Sequence, residues 1–179
     1  SHGIETMSSS SRRFNRITDF LATTHGTFFN PPWLFLAIAF LAYGLLFWRH
    51  GFYWDDLPIS WIRYELGREA MAKYFSTARP VWAVVYQVTT TFLPPVPLAW
   101  QIFSILWRWL SVVLLWQVVR ELWRDREKMA ALAGLLFLLY PGFNLQYPAF
   151  LPTHFWILVC FFFASLVSSL LRWKNFFRH

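Results

Sequence analysis

Charged residues are scarce in this sequence. Asp, Glu, Lys and Arg make up 14% of the 179 residues, against about 25% in an ordinary soluble domain. The longest uncharged stretch runs from Met129 to Leu171, which is too long for one membrane span of ~20 residues. Because Pro141-Gly142 and Pro148 interrupt it, the stretch predicts a helical hairpin with an aqueous turn. A soluble domain with a charged surface is therefore excluded.

Cysteine is almost absent, and so are the motifs of soluble enzymes. The single cysteine, Cys160, cannot form an internal disulfide. The sequence has no glycine-rich phosphate loop, no nucleophile elbow and no His/Cys spacing typical of zinc. It also shows no internal repeat. Disulfide scaffolds, repeat proteins and the common soluble catalytic classes are thus not indicated.

Apolar and aromatic residues dominate what is present. Hydrophobic residues make up 57% of the chain and aromatic residues 22%, in long runs bordered by tryptophan, as at membrane interfaces. The sequence predicts an all-α, polytopic membrane helical bundle with juxtamembrane helices in its first outer loop. Four transmembrane helices are predicted, at about 33–48, 98–122, 129–140 and 151–171.

The predicted outer loop spans residues 49–97 and mixes charged with aromatic side chains. Helical spacing of apolar residues predicts a surface helix at about 57–76. The apolar segment 80–93 would measure about 21 Å as a helix, which is short of a ~30 Å hydrocarbon core. It is therefore predicted to be a second juxtamembrane helix and not a fifth span.

The cations support this topology. The formal net charge of +7 could indicate nucleic-acid binding, but the cations cluster beside apolar stretches, so no nucleic-acid partner is expected. With four spans, ten cations fall on the cytoplasmic side, together with both termini. The expected location is the bacterial inner membrane. The ten are Arg12, Arg13, Arg16, Arg120, Arg124, Arg126, Lys128, Arg172, Lys174 and Arg178.

The chain is expected to contain one transmembrane domain, residues 32–173. Residues 1–6 resemble a cloning remnant. Residues 7–31 are predicted to be a cytoplasmic segment, in which 13–24 suits either an interfacial helix or ordinary solvated sequence. Residues 174–179 are predicted to be a cytoplasmic tail.

An acidic pair, Asp55-Asp56, follows the first predicted span at the outer surface. Paired carboxylates there suit a general base or a divalent metal site. Leu57-Pro58 follows Asp56, however, and an acid before a first-turn proline is typical of a helix N-cap. Asp55 is therefore the better functional candidate, and capping is the competing role for Asp56.

Arg108 lies deep in an otherwise uncharged predicted span, where a charge is costly unless it faces protein, water or an anionic ligand. Gln101, Ser104 and Ser111 fall on the same helix face, which predicts a polar stripe. The stripe suits a cavity for an anionic lipid headgroup. The alternative is that Arg108 snorkels or forms hydrogen bonds to the backbones of neighbouring helices. His154, at the outer end of the last span, suits a metal ligand, a proton shuttle or an interfacial residue.

Arg79 precedes Pro80 at the end of the outer loop. A guanidinium is planar, permanently charged and bidentate, so it suits a phosphate near the membrane surface. An arginine that only contacts lipid headgroups is the alternative.

Together these features resemble the GT-C superfamily of membrane glycosyltransferases. The likeness rests on Trp54-Asp55-Asp56, on Ala78-Arg79-Pro80, and on Leu135 to Gly142 at the end of an inside-to-outside span. It covers residues 30–172 and corresponds to the amino-terminal part of such enzymes, which usually continue through many more spans.

The resemblance implies transfer of a sugar from a polyprenyl-phosphate-linked donor on the non-cytoplasmic face. It implies that Asp55 or Asp56 is the catalytic base or a ligand of Mg or Mn, and that Arg79 holds the lipid-linked phosphate. Arg108 is a second candidate for phosphate binding, without a matching family position. A non-catalytic module that binds membrane lipid or assembles with a membrane protein is the alternative function.

Overall fold

A computed structural model describes residues 30–45, 49, 51–52, 55–76, 79–140 and 150–176. Residues 35–179 form one compact unit, and of the residues before it the structure describes only the start of the first helix. The predicted interfacial segment 13–24 and residues 177–179 of the predicted tail lie outside the described residues.

Every regular element within the described ranges is helical. The predicted surface helix at 57–76 is divided into two helices around Gly67, whose φ of 91° is a left-handed conformation that favours glycine. The segment predicted at 80–93 is a separate helix of 13 residues. The helices are α1 Pro31–Ala39, continued by a π-helical turn Phe40–Gly44, α2 Asp56–Tyr64, α3 Gly67–Ser76, α4 Pro80–Phe92, α5 Pro97–Leu122, α6 Glu127–Leu139 and α7 Phe150–Phe176.

Two of these helices are long and apolar enough to cross a membrane. They are α5, with 26 residues, and α7, with 27 residues. The apolar segment Pro31–Gly44 is shorter, and α6 has 13 residues, or about 20 Å. The described part of the chain is therefore all-helical, with two helices of spanning length, and the four-span arrangement belongs to the proposal below.

The long helices α5 and α7 pack side by side in the same direction. At their N-terminal ends the Trp100 and Phe150 rings stack with centroids 3.9 Å apart. At their C-terminal ends Lys174 forms an ion pair with Glu121. Helix α6 lies between α5 and α7 in the sequence and returns the chain to the end at which α5 begins. Helices α5 and α7 therefore both begin at one end of the bundle and end at the other.

The apolar interior has two parts. One joins the first helix, α5 and α6 around Phe35, Val112 and Leu138. The other joins α2, α3 and α4 to the first turns of α5 and α7, around Met71 and Phe150. The second part joins α2, α3 and α4 to the two long helices α5 and α7, and the candidate site lies beside it.

The outer side of α4 is apolar and exposed. Val81, Val84, Val88 and Phe92 are each more than half exposed and share one helical face. The opposite face packs against protein. A short helix with apolar residues on both sides is expected where one side faces lipid, which is consistent with the predicted juxtamembrane position.

Gly134 allows α6 to approach the first helix closely. A Cβ atom at this position would lie 2.8 Å from Cζ of Phe35, and Phe35 is fully buried. Small residues at such crossings let helices pack tightly where the surrounding lipid gives no hydrophobic driving force.

Replacing Gly134 by alanine is expected to lower the melting temperature of the detergent-solubilised protein by a few degrees. Overpacking costs about 1–3 kcal/mol, which exceeds the ~1 kcal/mol that alanine gains in helix propensity. Circular dichroism would follow unfolding, with Gly51→Ala as the control because no atom lies within 4 Å of a Cβ there. A Phe35→Leu background should reduce the penalty. An unchanged melting temperature for Gly134→Ala would show that the ring moves without cost.

Candidate functional site

An open cavity of about 440 Å³ lies beside the first turn of α7. Asp55 directly precedes α2, and Arg79 follows α3. Because α2 and α3 fold back on each other, both side chains line this cavity. Neither side chain forms an ion pair within the described residues. The cavity is lined by Asp55, Pro58, Ile59, Tyr74, Phe75, Arg79 and Leu151.

Asp55 occupies the N-cap position of α2, but its side chain makes no capping hydrogen bond. Only its backbone carbonyl contributes, as an acceptor for the Ile59 N–H at 3.4 Å. The side chain is exposed on the cavity wall. Its carboxylate therefore remains accessible to a ligand.

Asp56 is fully buried and caps a different helix. Its Oδ2 accepts the Phe150 N–H at 3.0 Å, and its Oδ1 accepts the Leu151 N–H at 2.9 Å. These amides open α7, where the first N–H groups have no partner within the helix and the helix dipole favours a negative charge. The sequence indicated capping of the helix that Asp56 itself begins; the structure shows capping of α7, 94 residues further along the chain.

Arg79 stands at the N-cap of α4, where its backbone carbonyl accepts the Trp82 N–H at 3.0 Å and the Ala83 N–H at 3.2 Å. Its guanidinium lies 5.3 Å from the centroid of the Trp82 ring. A cation–π contact uses the face of the guanidinium and leaves its N–H edges available. The residue is exposed, so those donors can reach a ligand in the cavity.

His154 is buried below the cavity and connects α7 to α4. Its Nδ1 lies 2.6 Å from the Phe150 carbonyl, which can only accept, so Nδ1 carries a proton. Its Nε2 lies 2.9 Å from the Thr89 hydroxyl, and its ring packs on Tyr86. In the described parts of the chain no group of three His, Cys, Asp or Glu residues could hold a metal ion.

Arg108 is buried halfway along α5 and contacts protein. Its Nη2 donates to the Tyr43 hydroxyl at 2.7 Å and to the Leu138 carbonyl at 2.9 Å. The rings of Tyr43 and Trp156 lie over the guanidinium. Leu138 is in the last turn of α6, where carbonyl groups lack helical partners and a cation is favourable. These contacts match the predicted hydrogen bonding to a neighbouring helix better than lipid binding.

The rest of the predicted polar stripe also faces protein. Gln101 and Ser111 are buried, and Ser104 is half-buried. The Ser111 hydroxyl donates to the Arg108 carbonyl at 2.7 Å, a bond within the same helix. None of these residues lines the cavity at Asp55, so the structure separates the stripe from the acidic pair.

Sequence reasoning missed the residues that close the C-terminal end of α4. The Arg63 Nε donates to the Thr90 hydroxyl at 2.7 Å, and the Tyr64 hydroxyl donates to the Leu93 carbonyl at 3.0 Å. Both donors lie on α2. These contacts with the end of α4 could not be predicted, because nothing in the sequence indicates which helix the side chains of Arg63 and Tyr64 contact.

No protein family, curated protein or solved structure matches this chain. The resemblance to GT-C enzymes therefore rests on the short motifs themselves. The shared cavity of Asp55 and Arg79 is a separate observation, made from geometry.

The two neighbouring aspartates should respond differently to the same substitution. Asp56→Asn is expected to cost about 1–2 kcal/mol in stability, because one acceptor oxygen and the charge at the α7 terminus are lost. Hydrogen exchange at the Phe150 and Leu151 amides should accelerate. Asp55→Asn is the matched control and should leave both properties unchanged. Equal destabilisation by the two variants would contradict the capping role of Asp56.

Proposed function

We propose that this chain is the amino-terminal module of a GT-C-like membrane glycosyltransferase, which transfers a sugar from a polyprenyl-phosphate-linked donor on the non-cytoplasmic face. The observation that carries the proposal is the placement of Asp55 and Arg79 on one open cavity. An acid and a permanent cation are the two groups needed to activate an acceptor hydroxyl and to hold a phosphate leaving group.

The arrangement of the helices supports an outer location for this cavity. The Lys174–Glu121 ion pair marks the far ends of α5 and α7, where Arg120 and Arg124 also lie. Cations concentrate on the cytoplasmic side of membrane proteins. The N-terminal ends of α5 and α7, and with them the cavity, then face outward in a four-span bundle.

In the proposed reaction Asp55 is the general base. Its carboxylate takes the proton of the acceptor hydroxyl as the acceptor oxygen bonds to the anomeric carbon of the sugar. The bond from that carbon to the phosphate oxygen breaks, and the polyprenyl phosphate leaves with both bonding electrons. Asp56 is a poor base by comparison, because both of its oxygens accept backbone N–H groups.

Arg79 is proposed to bind the phosphate throughout. Its guanidinium offers two parallel N–H donors to phosphate oxygens, and its charge offsets the negative charge that develops on the leaving group. The contact with Trp82 restrains the side chain beside the cavity.

A divalent metal is not required by this scheme. Asp55 supplies the only carboxylate on the described cavity wall, and Mg or Mn ions bind several oxygen ligands. One carboxylate is too small a donor set to hold such an ion alone. The metal role predicted for Asp55 stays a prediction.

The alternative, a non-catalytic lipid-binding or assembly module, has less support. It would use the polar stripe around Arg108, and that guanidinium is engaged by Tyr43 and Leu138. A membrane-protein partner stays a prediction.

Native mass spectrometry of the purified protein tests phosphate binding by Arg79. Wild type is expected to retain polyprenyl monophosphate in preference to phosphatidic acid and to uncharged polyprenol. Arg79→Ala should weaken retention about tenfold, since a hydrogen bond to a charged group contributes ~1.5–3 kcal/mol. Arg68→Ala, which removes another exposed arginine of the outer loop, and Arg108→Leu should bind as wild type. Equal losses in Arg79→Ala and Arg68→Ala would indicate only general attraction to anions.

Asp55→Asn tests the sugar-transfer step separately from binding of polyprenyl phosphate. This variant should retain polyprenyl phosphate but lose the release of polyprenyl phosphate from a lipid-linked sugar, measured by chromatography on the full enzyme that contains this module. Normal turnover in that variant would exclude Asp55 as the base.

A further inference from the structure

Tyr86 lies in α4, immediately behind the cavity wall. Its side chain is fully buried. The ring stacks on Phe75, with centroids 4.8 Å apart and an interplanar angle of 19°. It also contacts the rings of His154, at 3.6 Å, and of Trp82 and Phe150. Phe75 lines the cavity, so Tyr86 packs directly against a residue of the cavity wall.

The hydroxyl group of Tyr86 has no hydrogen-bond partner among the residues that the structure describes. Two other tyrosines provide a contrast. The Tyr43 hydroxyl donates to the Leu138 carbonyl at 2.8 Å, and the Tyr64 hydroxyl donates to the Leu93 carbonyl at 3.0 Å. A buried hydroxyl without a partner is unfavourable, and in folded proteins such groups often have a functional role.

The charged wall of the cavity lies within electrostatic reach of this hydroxyl. Burial raises the pKa of Tyr86 well above its usual value, and the carboxylates of Asp56 and Asp55 raise it further, against an opposing effect of Arg79. The hydroxyl therefore stays protonated at physiological pH. It can act as a donor to an anion but not as a base.

We propose that Tyr86 is a further ligand-binding residue, whose hydroxyl donates a hydrogen bond to a phosphate oxygen of the ligand held by Arg79. This rests on the proposed function of the cavity. Because the hydroxyl is buried, a side chain of the wall, Phe75 or the more exposed Tyr74, rotates to admit the ligand. Tyr86 would then be the third polar contact of the site, after Asp55 and Arg79.

The proposal predicts that Tyr86→Phe weakens ligand binding without lowering the stability of the free protein. The substitution removes only the hydroxyl. A group that lacks a partner in the free protein can be removed without loss of stability. Binding of polyprenyl monophosphate should nevertheless weaken about tenfold, because one hydrogen bond to a charged oxygen is lost.

Tyr64→Phe is the matched control. Its hydroxyl closes the end of α4, so its removal should lower the melting temperature by about 3 °C while leaving the affinity for polyprenyl monophosphate unchanged. Both variants and wild type would be compared by thermal unfolding and by titration with polyprenyl monophosphate, with inorganic phosphate and phosphatidic acid as separate arms.

Each outcome decides a different point. A raised or unchanged melting temperature together with weakened binding in Tyr86→Phe supports the assignment. A lowered melting temperature with unchanged affinity means that the hydroxyl already has a partner in the free protein, and overturns it. If wild type binds polyprenyl monophosphate no better than phosphatidic acid, the proposed function fails, and this inference with it. If Tyr86→Phe also weakens the binding of inorganic phosphate, the hydroxyl contacts the phosphate group and not the lipid chain.

Discussion

The packing of these helices depends on hydrogen bonds to the backbone groups at helix ends, which have no partner within their own helix. Where a helix stops in apolar surroundings, its last carbonyls or first N–H groups must find partners, since neither lipid nor an apolar core supplies them. Side chains from other helices do this at three places. The Asp56 carboxylate accepts N–H groups at the beginning of α7, and the Tyr64 hydroxyl donates to the Leu93 carbonyl at the end of α4. Arg108 and Tyr43 both donate to the Leu138 carbonyl at the end of α6. These contacts fix how α2, α4 and the shorter α6 join the two long helices.

The same constraint explains which features could be predicted from the sequence and which could not. Helices α5 and α7 follow from long apolar runs, a property of composition that needs no knowledge of neighbours. The partners of Asp56 and Arg108 could not be predicted, because capping between helices depends on which ends meet in space. Asp56 therefore suggested a cap on its own helix, and Arg108 left lipid and backbone as equal alternatives. The break at Gly67 was also missed, since the apolar spacing continues across it.

In the candidate site, too, the sequence identified individual residues but not their contacts in space. Asp55 and Arg79 were identified separately, from residue type and position near the membrane, and the fold places them on one cavity. Tyr86 gave no signal in the sequence, where it is one aromatic residue in an apolar segment. The role proposed for it rests on a hydroxyl that has no hydrogen-bond partner among the described residues, which is a property of the surroundings.

The π-helical turn at Phe40–Gly44 sets the angular register of the first helix. Phe35 and Tyr43 both contact α6, at Gly134 and Leu138 respectively. In an uninterrupted α-helix, residues eight positions apart point about 80° away from each other. One additional residue in a wider turn reduces this angle to about 20°, so both rings can face the same neighbour. A single-residue deletion within the turn would therefore separate the close helix crossing from the Tyr43–Arg108 contact, although no contacting side chain had been changed.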